Sequence, residues 1–330
     1  MMKKLLTVLL ALCLCCASAL AAELTTNGGV ALDLSALPHQ DEAASTAVYF
    51  ISDISPESLV KAYQALGVEL SGKVGVKLST GESERTNYLR PALIGDLVKM
   101  LNGTIVECNT AYGGSRSSTA MHLQLAKDHG FTDIAEVDIL DAEDSMEIPI
   151  EGGNRLSVDY VGSHFANYDS FLVLSHFKGH AMAGFGGAIK NISIGFGSAK
   201  GKGWIHSGGT SFTNIWGGEQ DAFLEAMADA AKAVDSTMGD NIVYISVLNR
   251  LSVDCDCDGS PAEPDMHDIG ILASADPLAI DQAAIDLVYA MPDSASLVAR
   301  IESRNGLHTL DAAEAIGLGN RTYNLVNLDD

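Results

Sequence analysis

From Ala47 to Leu140 the chain alternates short apolar segments with helix-like ones, and that alternation leaves few folds open. Ala47-Val-Tyr-Phe-Ile51 reads as a strand. Ser55-Pro56 then opens a helix, with the hydroxyl as N-cap and proline at the first helical position. Val60, Tyr63 and Leu66 give that helix its apolar stripe, and Gly67 ends it. Lys73-Val-Gly-Val-Lys-Leu78 alternates as a strand does. Pro91 opens a helix with Leu93, Ile94, Leu97 and Leu101 on one face, before the strand Thr104–Cys108. A helix over 118–129 and a strand over 135–140 continue the rhythm. Strands separated by helices need crossover connections, which make them parallel. The expectation is therefore a three-layer α/β fold, a mostly parallel sheet flanked by helices. Further strands are predicted over 155–161, 170–174, 241–247 and 268–273, with an edge strand over 321–327. Further helices are predicted over 219–237, 277–289, 294–303 and 309–316.

The N-terminus has the pattern of a secretory signal peptide over 1–22. Lys3 and Lys4 precede a short apolar core, Leu5 to Cys16, and small residues from Ala17 to Ala22 offer cleavage sites. The run is short for a bilayer span, so the chain is expected to be exported, to a periplasm or beyond, with no stable membrane span after cleavage. Residues 23–45, rich in Thr, Gly, Ala and Ser, read as a flexible lead-in, and 46–330 as a single large domain. The formal charge is −23, which repels nucleic acid phosphates. After cleavage Cys108, Cys255 and Cys257 remain, too few for a disulfide framework. A bridge across the single residue between Cys255 and Cys257 makes a strained ring.

Two segments carry the chemistry. The first follows the buried-looking run Phe171-Leu-Val-Leu174: Ser175-His-Phe-Lys-Gly-His180, then Gly184-Phe-Gly-Gly-Ala-Ile-Lys-Asn191. A strand ending in a glycine-rich loop is where α/β proteins place ligands. The second is Asp254-Cys-Asp-Cys257.

These pieces resemble, in order, the domain of unknown function 362 family, whose members are often labelled iron–sulfur centre proteins. The matching residues are Lys77, Thr86 to Pro91, Ser175 to His180, Gly187 to Asn191, Gly201-Lys202 with His206, Cys255-Asp-Cys257, Asp268 to Ser274, Asp276 to Gln282, and the tail Leu310 to Leu325. The resemblance implies an architecture over 47–330 and a metal site; it implies no particular reaction. Longer members carry a ferredoxin-like insertion where this chain has only Ser207–Gly218, without cysteine. A ferredoxin-type relay is therefore not expected.

Cys-x-Cys supplies half of a tetrahedral site. His176 and His180 are the leading candidates for the other half, facing one way if their loop turns helically. Cys255, Cys257, His176 and His180 would suit Zn or Fe. Cys108 in place of one histidine would give a set able to hold a small iron–sulfur cluster. His206 is a weaker candidate, and His267 a ligand or outer partner. His39, His122, His129, His164 and His308 read as ordinary. Lys178, Lys190, Lys200 and Lys202 cluster in a chain poor in basic residues. Together with Lys77, Gly186, Gly187 and Asn191 they suggest a pocket for a small anion. Lys190 and Asp281 are the candidate catalytic groups, Asp281 as general base or outer partner; Asp276 reads as a helix cap. The leading expectation is a metal-dependent enzyme acting on a small anionic molecule. The alternatives are a non-catalytic binding protein for a metal or anion, and thiol redox chemistry at Cys255 and Cys257.

Overall fold

The computed structural model describes residues 23–329; the predicted signal peptide lies outside them. A hairpin of β1 (Glu23–Thr25) and β2 (Ala31–Asp33) comes first. Then follow β3 (Ala47–Ile51), α1 (Pro56–Ala65), β4 (Val74–Lys77), α2 (Pro91–Met100), β5 (Thr104–Glu107), α3 (Thr119–Asp128) and β6 (Val137–Ile139). A hairpin of β7 (Ser145–Pro149) and β8 (Val158–Gly162) leads into β9 (Ser170–His176). A second hairpin, β10 (Lys178–His180) with β11 (Gly184–Gly186), precedes α4 (Ala188–Ser193), α5 (Ala199–His206) and the long α6 (Gln220–Met238). Last come β12 (Ile242–Leu248), β13 (Gly270–Ser274), α7 (Pro277–Ala290), α8 (Ala295–Ser303), α9 (His308–Ala315) and β14 (Asn324–Asn327).

Eight strands form one sheet in the order β14-β3-β13-β12-β9-β4-β5-β6. Every neighbouring pair is parallel except the two that β13 makes, with β12 and β3. Both faces are covered, which is the three-layer α/β architecture. On one face Leu172, Leu174, Val243, Ile245 and Val76 pack with Leu59, Ile94, Leu97 and Ala126 of α1, α2 and α3. On the other, Phe171, Val173, Ile242 and Tyr244 pack with residues of α4, α6, α7 and α9. Every residue of β9 and β12 is buried, as an interior parallel strand requires, and this is why both read as unbroken apolar runs. No helix of the described residues is long and apolar enough to cross a membrane.

Parallel strands end on a common edge, and here that edge gathers the chemistry. Lys77 closes β4, Cys108 follows β5, His176 closes β9, and the loop carrying Cys255 follows β12. This is the carboxyl edge at which open α/β sheets bind ligands.

Three local expectations change. The lead-in is ordered: β1 and β2 pair, and Asn27 and Gly28 donate to the carbonyls of Ile269 and Asp268. The spaced apolar residues Leu24, Leu32, Leu34 and Leu37 are buried in the core, which outweighs the polar composition around them. The glycine-rich stretch after Gly187 is helical, forming α4 and α5. His176 and His180 lie not on a helical turn but on β9 and the hairpin that follows it.

Asp281, expected as a general base, does not reach the cavity described below. Fully buried on α7, it accepts from the backbone of Ala188 (2.7 Å) and Ile189 (2.9 Å) and so caps α4. A side chain at Gly187 would collide with that carboxylate. Burial pushes Asp281 up to about 7, against the pull of the two N–H groups. Asp276 is an N-cap as expected, accepting from Leu278 and Ala279. Asp281→Ala is expected to cost about 2–3 kcal/mol in urea unfolding, because it orphans two buried donors of a charge-assisted pair. Asp281→Asn, which keeps one acceptor oxygen, loses less in the same measurement.

Candidate metal and anion site

The two segments singled out in the sequence meet through Asp256. Its carboxylate is 1% exposed. It lies 3.0 Å from Nδ1 of His176 and 3.2 Å from Nζ of Lys178. Lys178 also donates to the carbonyl of His176, and His176 Nε2 donates to the carbonyl of Asn249 at 2.7 Å. Gly179 N donates to the Ser252 carbonyl, and any side chain at Gly179 would strike the backbone of Val253. Burial works against both charges of the ion pair. The mutual attraction wins: Asp256 is held below the usual carboxylate range and Lys178 above the usual amine range.

Alternate residues of Cys255-Asp256-Cys257 divide their work. Asp256 grips the His176 segment, while Cys255 and Cys257 line the cavity. Each cysteine is free. Ligand atoms of His180, Cys255 and Cys257 all lie within 4.8 Å of one another, with His180 Nε2 3.8 Å from Cys257 Sγ. A nitrogen and a sulfur bound tetrahedrally at the usual Zn–N and Zn–S lengths stand about 3.6 Å apart. The group is therefore the right size and softness to hold one metal ion. His176 is not part of it. Both its ring nitrogens are occupied, by Asp256 and by Asn249, so its expected place in the ligand set falls to an anchoring contact instead.

His180 brings a further constraint. Its Nδ1 accepts from the backbone N–H groups of Met182 (3.1 Å) and Ala183 (3.0 Å). The proton of the neutral ring therefore sits on Nε2, facing the sulfurs. Burial and the Lys190 charge hold the imidazole below its ordinary pKa. The two thiols are electrostatically linked. The hydrogen bond from Cys257, helped by His180 and Lys190, pulls Cys255 far down, and the same bond pushes Cys257 far up. The two sulfurs are therefore the primary donors; His180 would bind a metal through Nε2 only by giving up the proton it carries there, to solvent or to Nδ1 with loss of the two backbone bonds.

These groups sit in the wall of a cavity of about 530 Å³. Lys77, Lys178, Lys190, Lys202 and Arg116 line it too, which accounts for a quarter of the chain's 20 basic residues. Most are already engaged. Lys77, 2% exposed, donates to the Leu78 carbonyl (2.8 Å) and Asn191 Oδ1 (2.9 Å), and burial lowers it to about 8. Asn191 in turn donates to Ser175 Oγ. Lys202 donates to the Gly197 carbonyl, and Arg116 is bound by Glu82 and Glu107. Among the described residues no hydrogen-bond or ion-pair partner is found for the Lys190 ammonium, half-buried beside Gly186 and Gly187. Lys200 does not line the cavity; it lies over the Tyr160 and Phe212 rings.

Cys108 lines the cavity but stays outside the donor group. Its thiol donates to the Phe196 carbonyl at 3.1 Å, and burial pushes it up to about 12, so the three-cysteine cluster set is not assembled. His267 pairs with Asp293 at the surface, away from the cavity. His206, a weaker ligand candidate than His176 by sequence, is better placed. Its Nδ1 donates to the Lys202 carbonyl at 2.7 Å, its ring stacks on Phe223, and it lines the cavity. That leaves a lone pair on Nε2. Tyr112 was missed altogether; it lines the same cavity from the loop after β5, and burial and the two nearby cysteines raise its hydroxyl. No sequence motif flags it, because only the fold brings that loop across.

The chain belongs to the family described as Domain of unknown function (DUF362), whose model matches residues 74–286. No curated protein matches it. Two solved structures are similar at low identity. One is the lactate racemase apoprotein from Thermoanaerobacterium thermosaccharolyticum, 16% identical with a TM-score of 0.45, over 82% of this chain and 62% of that one. The other is a structural-genomics protein from Thermotoga maritima, 9% identical with a TM-score of 0.41, over 79% of this chain and 58% of that one. The chain thus covers less than two thirds of either.

Burial lowers His206 from 6.5 to about 3. Between those values the unfolded chain binds a proton that the folded chain refuses, so stability falls as pH drops from about 6 to 4. His206→Asn is expected to flatten that slope by about 1 kcal/mol per pH unit, measured by urea unfolding across the range.

Proposed function

We propose that this protein is a metal-dependent enzyme acting on a small anionic molecule. One observation carries the reading. Two thiol sulfurs, of Cys255 and Cys257, and the His180 imidazole lie in the wall of a cavity that also holds the Lys190 ammonium, for which no partner is found among the described residues. Structural metal sites close all four positions with protein, whereas catalytic ones leave one for water or substrate. Here three protein donors gather among the described residues, and the cavity supplies room for a fourth from outside. A bound metal would polarise a substrate oxygen or activate water. Lys190 would hold the anionic group, with Lys77 and Lys178 adding positive potential from fixed positions. His206 Nε2 would accept a hydrogen bond as a neutral imidazole. In this reading the predicted leader carries the protein out of the cytoplasm, where bound metal would also shield Cys255 and Cys257 from oxidation.

A second reading is favoured by the His180 tautomer. An Nε2–H aimed at the sulfurs stabilises a thiolate without any metal, and a thiolate of that kind is a nucleophile or redox group.

Elemental analysis of anaerobically purified protein separates the two. The expected result is about one soft metal ion per chain, falling to about a tenth or less in the double variant Cys255→Ser, Cys257→Ser. Lys190→Ala is expected to keep the metal while weakening binding of carboxylate and phosphate probes. Metal-free protein whose Cys255 alkylates rapidly at pH 6 would overturn the first reading in favour of the second.

A further inference from the structure

The cavity is far larger than a small carboxylate or phosphate needs, and its two ends differ in character. Inside lie the thiol pair and Lys190. At the mouth stand Tyr112 and Trp216, whose ring centroids are 6.0 Å apart and tilted by 45°. Trp216 is 69% exposed, the most open of the large apolar side chains among the described residues. The segment that presents it, between α5 and α6, has no regular secondary structure. It is held by its own side chains: Ser207 Oγ donates to the Ser211 carbonyl, and Asn214 Oδ1 accepts from Gly217 N. Trp216 is not folded away, and no hydrogen-bond partner for it is found among the described residues. A large exposed indole on the rim of a cavity is a stacking surface for a ligand. Tyr112 links the two ends, since it lines the same cavity as Cys257 while its ring lies beside Trp216.

We infer that the ligand of this cavity is an anion carrying an aromatic or heteroaromatic ring, with its charged group at Lys190 and its ring stacked on Trp216 beside Tyr112. This deepens the proposed function and rests on its claim that the cavity binds an anion. Trp216 is then a specificity-determining residue: it selects for planarity and contributes nothing to charge recognition. Stacked aromatic pairs gain binding energy beyond the area they cover, so a planar ring is favoured over a saturated ring of the same charge and similar size.

The probes are benzoate and cyclohexanecarboxylate, titrated calorimetrically into the whole protein as purified. Benzoate is expected to bind about fivefold more tightly, an advantage of the size aromatic pairs provide. Trp216→Ala is expected to abolish that preference by weakening benzoate alone, and Lys190→Ala to weaken both probes alike. Trp216 is an exposed loop residue, so its replacement leaves the fold standing. Equal affinity for the two probes, or an unchanged preference in Trp216→Ala, overturns the aromatic inference and leaves the anion site intact. Failure of the protein to bind either probe overturns both.

Discussion

The site depends on one buried ion pair. The Asp256 carboxylate is enclosed between His176 and Lys178, and His176 passes the connection on to the Asn249 carbonyl. Three pieces of chain are thereby fixed to one another: the end of β9, the hairpin after it, and the loop after β12. Taking charges out of water is costly, and such a pair holds only when its geometry is complete. Loss of one partner would strand the other at a penalty of about 3–5 kcal/mol. Asp256 therefore acts as an anchor, and because it turns away from the cavity, the cysteines on either side of it turn in.

The electrostatics follow from the same arrangement. A chain with more than twice as many acidic as basic residues has gathered a quarter of its cations around one cavity. Such a field attracts anions, provided the cations are not all consumed by the protein. Carbonyls and carboxylates do consume most of them, and those bonds hold Lys77, Lys178, Lys202 and Arg116 in place. Lys190 has no such partner among the described residues. Its position comes from α4, a helix of six residues whose first turn is secured by Asp281 from α7. The residue expected to do chemistry positions the helix that bears Lys190.

Much of the fold was legible because burial writes a periodic record. Strands buried on both faces became the apolar runs 171–174 and 242–248, and Ser55-Pro56, Pro91 and Asp276-Pro277 marked helix starts through local capping chemistry. The lead-in was harder to read, since its four buried leucines are scattered among polar residues. The stretch after Gly187 was harder still. Glycines at 187, 201 and 203 look like loop signals, yet each is there because another segment of chain packs where a side chain would stand.

Taken alone, the sequence determined the layered α/β architecture, the two chemistry-bearing segments with their Cys-x-Cys and His–Lys residues, and the surplus of negative charge. Those properties live in residue type and short-range spacing. Only the tertiary structure decided which histidine faces the sulfurs. His176 and His180 are four residues apart and alike in composition, but the first ends a strand against Asp256 and Asn249, while the second sits in a hairpin whose backbone N–H groups fix its tautomer. The same holds for His206 and Tyr112, drawn to the cavity by helix packing and by a crossing loop. Proton positions and ligand sets depend on partners far away in sequence, and the folded chain alone brings those partners into contact.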